Sequence, residues 1–228
     1  GRSPVELAVA CALGAGVDAC WVSSDDGVIL GQASDSCFAG VIRRPPELAT
    51  DETPMINVIT HALGAIDASL PVHQAAKGDD IIILLQPTQP LRTPAHVSAA
   101  VELLRETQAD SVISVVDVPQ RYHLDVQLII PEPGRWIPGP RWPYVGPARR
   151  NVKSLGVMAA SRRQLGPTYI RDGTVYAFWR RTVEQFGTIY GKRCRPLIIP
   201  AAETCALDSP EDWAEAERRL SMGHEKGA

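Results

Sequence analysis

Several features that identify common protein classes are missing from this chain of 228 residues. The longest helix-like apolar stretch, residues 7–17, contains Gly14 and Gly16 and is too short to span a bilayer. The net charge is −3, so no basic excess argues for a nucleic-acid partner. The chain has no P-loop, no G-x-G-x-x-G and no G-x-S-x-G, and these familiar nucleotide-binding and hydrolase motifs give it no assignment.

Cysteine usage excludes two further classes. The five cysteines are Cys11, Cys20, Cys37, Cys194 and Cys205. Because they are odd in number, widely spaced and without a C-x-x-C pair, a disulfide framework or a zinc site is not expected. The chain also starts without a basic region followed by a continuous apolar one, the pattern of a signal peptide. We therefore predict a protein of the reducing cytoplasm.

A strongly apolar run, Ile81 to Leu85, stands out from the rest of the chain. It is too short for a typical helix and has no polar position, so it predicts a strand buried on both faces. Two prolines follow within the next five residues and stiffen a loop. This loop carries four polar residues, Gln86, Thr88, Gln89 and Arg92. Ligands of open α/β sheets bind outside the carboxyl ends of the strands, so the loop is a candidate site.

Apolar periodicity and capping signals divide the chain into alternating helices and strands. Helices are predicted over residues 4–13 and 53–70, from Thr93, and from Ser209, where Pro210 and Asp212 complete a capping signal. Strands are predicted over 19–22, 40–42, 81–85, 111–118, 173–179 and 196–200. This alternation predicts one α/β domain over residues 1–228, with a mostly parallel, Rossmann-like sheet covered by helices on both faces.

Residues 131–147 are rich in proline and contain Trp136, Trp142 and Tyr144. The prolines exclude a regular sheet element, and the aromatic residues favour an ordered loop or arm over a linker. The tryptophans have two interpretations: stacking on a base, or the more common role of sealing a loop or a subunit contact.

Polar residues follow several predicted strands: Asp25, Arg44 and Gln86, with Asp208 just before the last helix. If they share one edge of the sheet, they supply a cation for phosphate, a carboxylate for Mg²⁺ and hydrogen-bonding groups for a sugar or base. Asp208 also has a simpler interpretation as a charge at a helix N-terminus. His61 and His123 have no partner at ligand spacing, and we interpret both as satisfied or surface histidines.

Six segments together resemble the acylneuraminate cytidylyltransferases (CMP-sialic acid synthetases) and their relatives acting on other nonulosonic acids. Residues 84–92 resemble L-L-Q-P-T-S-P-L-R and residues 44–51 resemble R-P-x-E-L-A-x-D. The others are 22–25 (V-S-T-D), 110–115 (D-S-V-V-S-V), 169–176 (Y-x-R-N-G-A-I-Y) and 206–213 (D-I-D-T-E-E-D-W). The matches follow the family's order along nearly the whole chain.

The resemblance implies the fold of the nucleotide-diphospho-sugar transferases and the reaction of CTP with a nonulosonic acid to give a CMP-sugar and pyrophosphate. It implies that Gln86 and Thr88 bind the sugar, that Arg44 and Asp25 lie near the nucleotide, and that Asp208 binds Mg²⁺. Gln86 and Asp208 are thus the implied catalytic residues. Arg171 is a candidate for the sugar carboxylate, because a guanidinium suits that group. A homodimer is also implied, with residues 119–168 as the arm that reaches the partner.

Two departures from the family pattern matter for function. Ala206 occupies the first aspartate position of D-x-D. The family also opens with a strand and a basic loop that holds the triphosphate, and about twenty such residues have no counterpart before Gly1 in this resemblance. That strand is central in the family, so without it two neighbouring strands would have open edges. Two alternatives therefore stay open: a nucleotidyltransferase for another sugar or nucleotide, and a non-catalytic nucleotide-binding dimer.

Overall fold

The computed structural model describes residues 1–34, 39–70, 78–123, 128–129, 146–147 and 167–225. The chain divides into two compact units, Gly1–Val115 with Arg171–Ala228, and Val116–Ile170. The helices are α1 (Pro4–Gly14), α2 (Gly27–Ser34), α3 (Met55–Ser69), α4 (Pro94–Thr107), α5 (Arg180–Phe186) and α6 (Pro210–Glu225). The strands are β1 (Cys20–Ser24), β2 (Ala39–Arg43), β3 (Ile81–Leu84), β4 (Ser111–Asp117), β5 (Leu128–Ile129), β6 (Gly146–Pro147), β7 (Tyr169–Trp179) and β8 (Cys194–Ile198).

The large unit contains two separate sheets. Strands β1 and β2 pair in parallel, with Ser24 opposite Arg43. The second sheet has the order β3-β7-β4-β8, in which β4 and β8 are parallel and β3 and β7 are antiparallel. The antiparallel pairing sets Leu84 opposite Tyr176, so the first residues of β7 lie beside the carboxyl end of β3. This reversal gives the loop after β3 a neighbour that a purely parallel sheet would not provide.

Strand β7 lies at the centre of the core. Tyr176 and Phe178 pack in a cluster with Ile59 and Leu63 of α3. Val175 and Ala177 belong to a different cluster, formed with α4 residues Ala100 and Leu104. Since successive residues of a strand point to opposite faces, helices cover both faces of the sheet at β7. The predicted α/β fold class is confirmed.

The prediction for residues 81–85 was right about the strand and wrong about its burial. Residues Ile81–Leu84 are only half-buried, because β3 is the outer strand of its sheet. The strand buried on both faces is β7, in which residues 173–178 are all buried. Both β1 and β3 are edge strands among the described residues.

Two helices were not predicted. Helix α2 begins after Asp26, whose Oδ1 accepts hydrogen bonds from the N–H groups of Val28 at 2.6 Å and Ile29 at 3.4 Å. This is an N-cap, but the following Gly-Val-Ile-Leu-Gly lacks a clear helical period. Helix α5 has only seven residues and directly follows β7, so its apolar pattern merges with that of the strand.

The smaller unit contains the pair β5–β6, which is antiparallel, and a short 3₁₀ turn at Gln120–Tyr122. The N–H of Val118 donates to the carbonyl of Thr168 at 2.8 Å. Trp136, Trp142 and Tyr144 lie outside the described residues, as does most of the predicted 119–168 arm. Among the described helices, none combines the length and the apolar character needed to cross a bilayer.

Arg180 joins α5 to α3 through an ion pair between its buried guanidinium and the half-buried carboxylate of Asp67. Its Nη1 and Nη2 lie 3.0 and 2.5 Å from the two carboxylate oxygens of Asp67, and Nε lies 2.7 Å from Glu184 Oε1. These hydrogen bonds raise the pKa of Arg180 above its ordinary value. We expect Arg180→Met to lower the free energy of unfolding in urea by about 1–2 kcal/mol, because Asp67 loses a bidentate partner beside the core.

Arg181→Met is the matched control. Arg181 pairs with Asp79, whose side chain is 86% exposed, and such surface pairs contribute less than about 1 kcal/mol. Equal losses of stability in the two variants would contradict the role assigned to Arg180.

Candidate functional site

The loop Leu85–Thr93, here called the Gln86 loop, is held from inside by Arg92. The side chain of Arg92 is buried, and Nη2 donates to the carbonyls of Gln86 at 2.6 Å and Gly173 at 3.4 Å. Nε donates to the carbonyl of Thr174. Burial lowers the pKa of Arg92 to about 10, so the guanidinium stays protonated at neutral pH. Arg92 therefore fastens the loop to the start of β7. It is not the exposed ligand group that its place in the loop had suggested.

Gln89 is the second buried residue of this loop. Its Nε2 donates to the carbonyl of Asp172, and its Oε1 accepts from Thr204 Oγ1 at 3.1 Å. The N–H of Leu207 donates to the carbonyl of Thr88 at 2.9 Å. Through these hydrogen bonds the Gln86 loop contacts both the start of β7 and the segment Thr204–Asp208.

Gln86, within the loop, and Arg171, within β7, lie where the loop meets the start of β7. The half-buried Gln86 lies against Gly173, where an added Cβ would meet Gln86 Oε1 at 3.0 Å. Arg171 is exposed; its Nη1 donates to the hydroxyl of Tyr190, and its guanidinium carbon lies 5.8 Å from the centre of that ring. Tyr176 lies nearby on β7, and burial raises its pKa. An amide and a pre-oriented guanidinium are groups that can bind hydroxyls and a carboxylate.

Asp208 ends the segment that Thr88 and Gln89 hold, and it directly precedes the cap of α6. Ser209 and Asp212 form the predicted cap: Asp212 Oδ2 accepts from Ser209 N at 2.9 Å and Ser209 Oγ at 2.7 Å. The same oxygen accepts from the N–H of Asp208 at 3.3 Å. The hydrogen bonds from Ser209 hold the pKa of Asp212 below its ordinary value. Asp212 is thus engaged in capping, whereas the carboxylate of Asp208 is exposed.

Mg²⁺ fits this donor set only with help from a substrate. Among the described residues no group of three or more histidine, cysteine or acidic side chains is arranged to hold a metal. Mg²⁺ is commonly bound through one or two carboxylates, water and substrate phosphates, and Asp208 supplies one such carboxylate. Ala206, the other D-x-D position, offers no ligand.

A second group of predicted residues lines a cavity of about 690 Å³ at the end of β1 and β2. Asp25, Arg43, Arg44 and His61 line it together with Pro45, Pro46 and Ala49. Arg44 is oriented by Ser23: its Nη2 donates to the Ser23 carbonyl at 2.8 Å. Parallel pairing places the residues after the two strands at one edge, so Asp25 and Arg44 lie in the same cavity.

His61 was interpreted as an ordinary histidine, and the structure places it in the wall of this cavity. Its Nδ1 is buried and has no hydrogen-bond partner among the described residues. The sequence contained only a weak sign that His61 belongs to a site, because this residue lies among the apolar residues of the predicted helix. His123 belongs to the smaller unit and is buried.

The structure therefore arranges the candidate residues in two groups. Hydrogen-bonded segments bring Gln86, Thr88, Arg171 and Asp208 to one end of the second sheet. Asp25 and Arg44 share the cavity beside the β1–β2 pair. Within the described part of the chain, no hydrogen bond or ion pair joins the two groups directly.

Two of the curated proteins that match this chain show what it is similar to. A CMP-N,N'-diacetyllegionaminic acid synthase of Legionella pneumophila is 24% identical over 191 residues, which is 80% of this chain and 69% of that protein. An N-acylneuraminate cytidylyltransferase of Oncorhynchus mykiss is 25% identical over 214 residues, 89% of this chain. This chain spans only 40% of the length of the Oncorhynchus mykiss protein. No protein-family model matches the chain.

The chain is thus similar, at 24% and 25% identity, to one protein named as a CMP-N,N'-diacetyllegionaminic acid synthase and one named as an N-acylneuraminate cytidylyltransferase. The fold agrees: a CMP:2-keto-3-deoxy-manno-octonic acid synthetase complexed with CTP superposes with a TM-score of 0.61, at 15% identity over 99% of this chain and 89% of that one. A 4-diphosphocytidyl-2C-methyl-D-erythritol synthase gives 0.56 at 14% identity, over 96% of this chain and 89% of that one. The predicted resemblance is confirmed, and so is the prediction of an enzyme of the nucleotidyltransferase type.

Proposed function

We propose that the protein is a cytidylyltransferase that activates a nonulosonic, sialic-acid-like sugar with CTP. The observation that carries this proposal is the hydrogen-bonded assembly of the Gln86 loop, the start of β7 and the Thr204–Asp208 segment. It collects an amide, a guanidinium and an exposed carboxylate at the end of a sheet, where α/β folds bind ligands. The names of the curated relatives point to the same substrate class.

In the proposed reaction the anomeric hydroxyl of the sugar attacks the α-phosphorus of CTP. A new oxygen–phosphorus bond forms, the bond to the β-phosphate oxygen breaks, and pyrophosphate leaves while the hydroxyl proton passes to solvent. Gln86 and Thr88 orient the sugar, Arg171 binds its carboxylate, and Arg44 and Asp25 bind the nucleotide. Asp208 would hold Mg²⁺, which when bound neutralises charge on the triphosphate. Catalysis is then positioning plus charge neutralisation.

The full-length protein is expected to release pyrophosphate only when CTP, Mg²⁺ and a nonulosonic acid are all present. The measurement is a panel of four nucleoside triphosphates against N-acetylneuraminic, legionaminic and 2-keto-3-deoxy-manno-octonic acids, each with Mg²⁺ and with a chelator. Omitting either substrate is the control for simple triphosphate hydrolysis. Absence of release with every pair would refute the proposal.

Two alternatives have support from particular observations. The similarity to 4-diphosphocytidyl-2C-methyl-D-erythritol synthase favours testing a polyol phosphate as acceptor in the same panel. Ala206 favours a non-catalytic nucleotide-binding protein, which would be stabilised by CTP in a thermal-shift titration without turnover. We also propose a cytoplasmic homodimer with residues 119–168 as the contact arm, which light scattering of the full-length protein would test.

A further inference from the structure

Gln89 is an unusual residue for a loop that follows a strand, because only 4% of its surface is exposed. Its partners fix how its amide is turned. The carbonyl of Asp172 can only accept, so it must face Nε2; Oε1 then faces Thr204 Oγ1, which donates at 3.1 Å. Both ends of a buried side-chain amide are thus engaged by different segments of the chain.

The two partners belong to the two sides of the proposed site. Asp172 lies between Arg171 and Gly173, the residue against which Gln86 is placed. Thr204 begins the segment that ends in Asp208. A second link, from Leu207 N to the carbonyl of Thr88, runs alongside at 2.9 Å. Gln89 is therefore the side chain that joins the sugar side of the site to the metal side.

This bridge depends on a residue at which the chain differs from the motif it resembles. The motif that residues 84–92 resemble has serine where this chain has Gln89. A serine carries one hydroxyl on Cβ and cannot reach both partners of the longer amide. The bridge also supports the segment Thr204–Asp208, in which Ala206 replaces the first aspartate of the D-x-D pattern and Asp208 is its one carboxylate. With a single carboxylate to hold the metal, the position of this segment matters more for metal binding.

We propose that Gln89 is a positioning residue that holds the Asp208 segment in register with the Gln86 loop. It does not touch the substrates; it fixes the distance between the groups that bind the sugar and the carboxylate that would hold the metal. This inference rests on the proposed function of the site, while the bridge itself is a property of the fold that can be measured separately.

The test compares Gln89→Leu, which keeps the size and removes both hydrogen bonds, with Thr204→Val, which removes only one. Amide hydrogen exchange across residues 203–209 is expected to speed up by about tenfold in Gln89→Leu and less in Thr204→Val. The KM for the sugar and the Mg²⁺ concentration for half-maximal activity are expected to rise by about tenfold, with the Kd for CTP measured in the absence of Mg²⁺ unchanged. Gln185→Leu, the same change at an exposed position of α5, is the control.

The double variant Gln89→Leu/Thr204→Val distinguishes loss of the bridge from a general loss of rigidity in the site. If the two side chains act through one hydrogen bond, Thr204→Val has little further effect in the Gln89→Leu background. Unchanged exchange across 203–209 in Gln89→Leu would overturn the bridge. Faster exchange with wild-type kinetics, or an equal loss of CTP affinity measured in the absence of Mg²⁺, would overturn the positioning role. An inactive wild-type protein would refute the proposed function, and the exchange data would still decide the bridge.

Discussion

Asparagine in place of Asp208 is expected to lower kcat/KM for pyrophosphate release by about 10²–10³-fold. The carboxylate is exposed at the end of a segment that backbone and side-chain hydrogen bonds hold in place. An amide oxygen is a neutral, weaker ligand for Mg²⁺, and Ala206 offers no second carboxylate. The concentration of Mg²⁺ needed for half-maximal rate should therefore rise together with the loss of rate.

The fold should tolerate this change, because the contact that Asp208 makes with Asp212 comes from its backbone N–H. Glu211→Gln is the matched control, since Glu211 is an exposed acidic residue in the first turn of α6. Steady-state kinetics over a range of Mg²⁺ concentrations measure the loss of rate and the Mg²⁺ requirement, and a melting curve checks that the fold is intact. Near wild-type activity in Asp208→Asn, at an unchanged Mg²⁺ requirement, would remove Asp208 from the metal-binding role.

Helix ends were the part of the fold most predictable from sequence, because capping is local. Ser3 and Glu6 form a reciprocal pair at the start of α1, with Ser3 N donating to Glu6 Oε2 at 2.5 Å and Glu6 N to Ser3 Oγ at 3.3 Å. Ser209 and Asp212 do the same at α6. Each pair spans three residues, so a short window of sequence contains the whole interaction.

The place of a strand in its sheet is not local, and here the sequence misled. Ile81–Leu84 is more continuously apolar than β7, yet β3 is the outer strand and β7 the inner one. Burial of β7 comes from α3 on one face and α4 on the other, which belong to distant parts of the chain. A continuous apolar run indicates a strand but does not say how many neighbours it has.

In the candidate site too, some features were predictable from local sequence and others depended on distant parts of the chain. That Asp25 and Arg44 would meet followed from two strands with polar ends, and they line one cavity. That Gln89 and Arg92 point inward could not be read from the loop, because several of their partners are carbonyls of β7, those of Asp172, Gly173 and Thr174. Such contacts depend on the antiparallel turn of β7, which the alternation of helices and strands did not predict.

Alanine in place of Gly173 is the second change with a large expected effect, and its cost has two separable parts. Gly173 has a φ of +79°, which disfavours any side chain and should cost about 1–2 kcal/mol of stability. The new Cβ would also lie 3.0 Å from Gln86 Oε1. Since that atom ends a flexible side chain, it can swing away at little further cost in stability, but the group proposed to hold the sugar then moves. We expect the KM for the sugar to rise by at least about tenfold.

Gly187→Ala is the control that carries only the backbone cost, so comparison with it isolates the effect of the contact with Gln86. Gly187 has a φ of +61° at the end of α5, and an added Cβ there meets no atom within 4 Å. Both variants should therefore lose similar stability in urea, whereas only Gly173→Ala should raise the KM for the sugar, with the Kd for CTP unchanged in both. If the two variants had the same KM, Gln86 would not be the group that orients the sugar. A change confined to Gly173→Ala would assign that orientation to the contact between Gln86 and the start of β7.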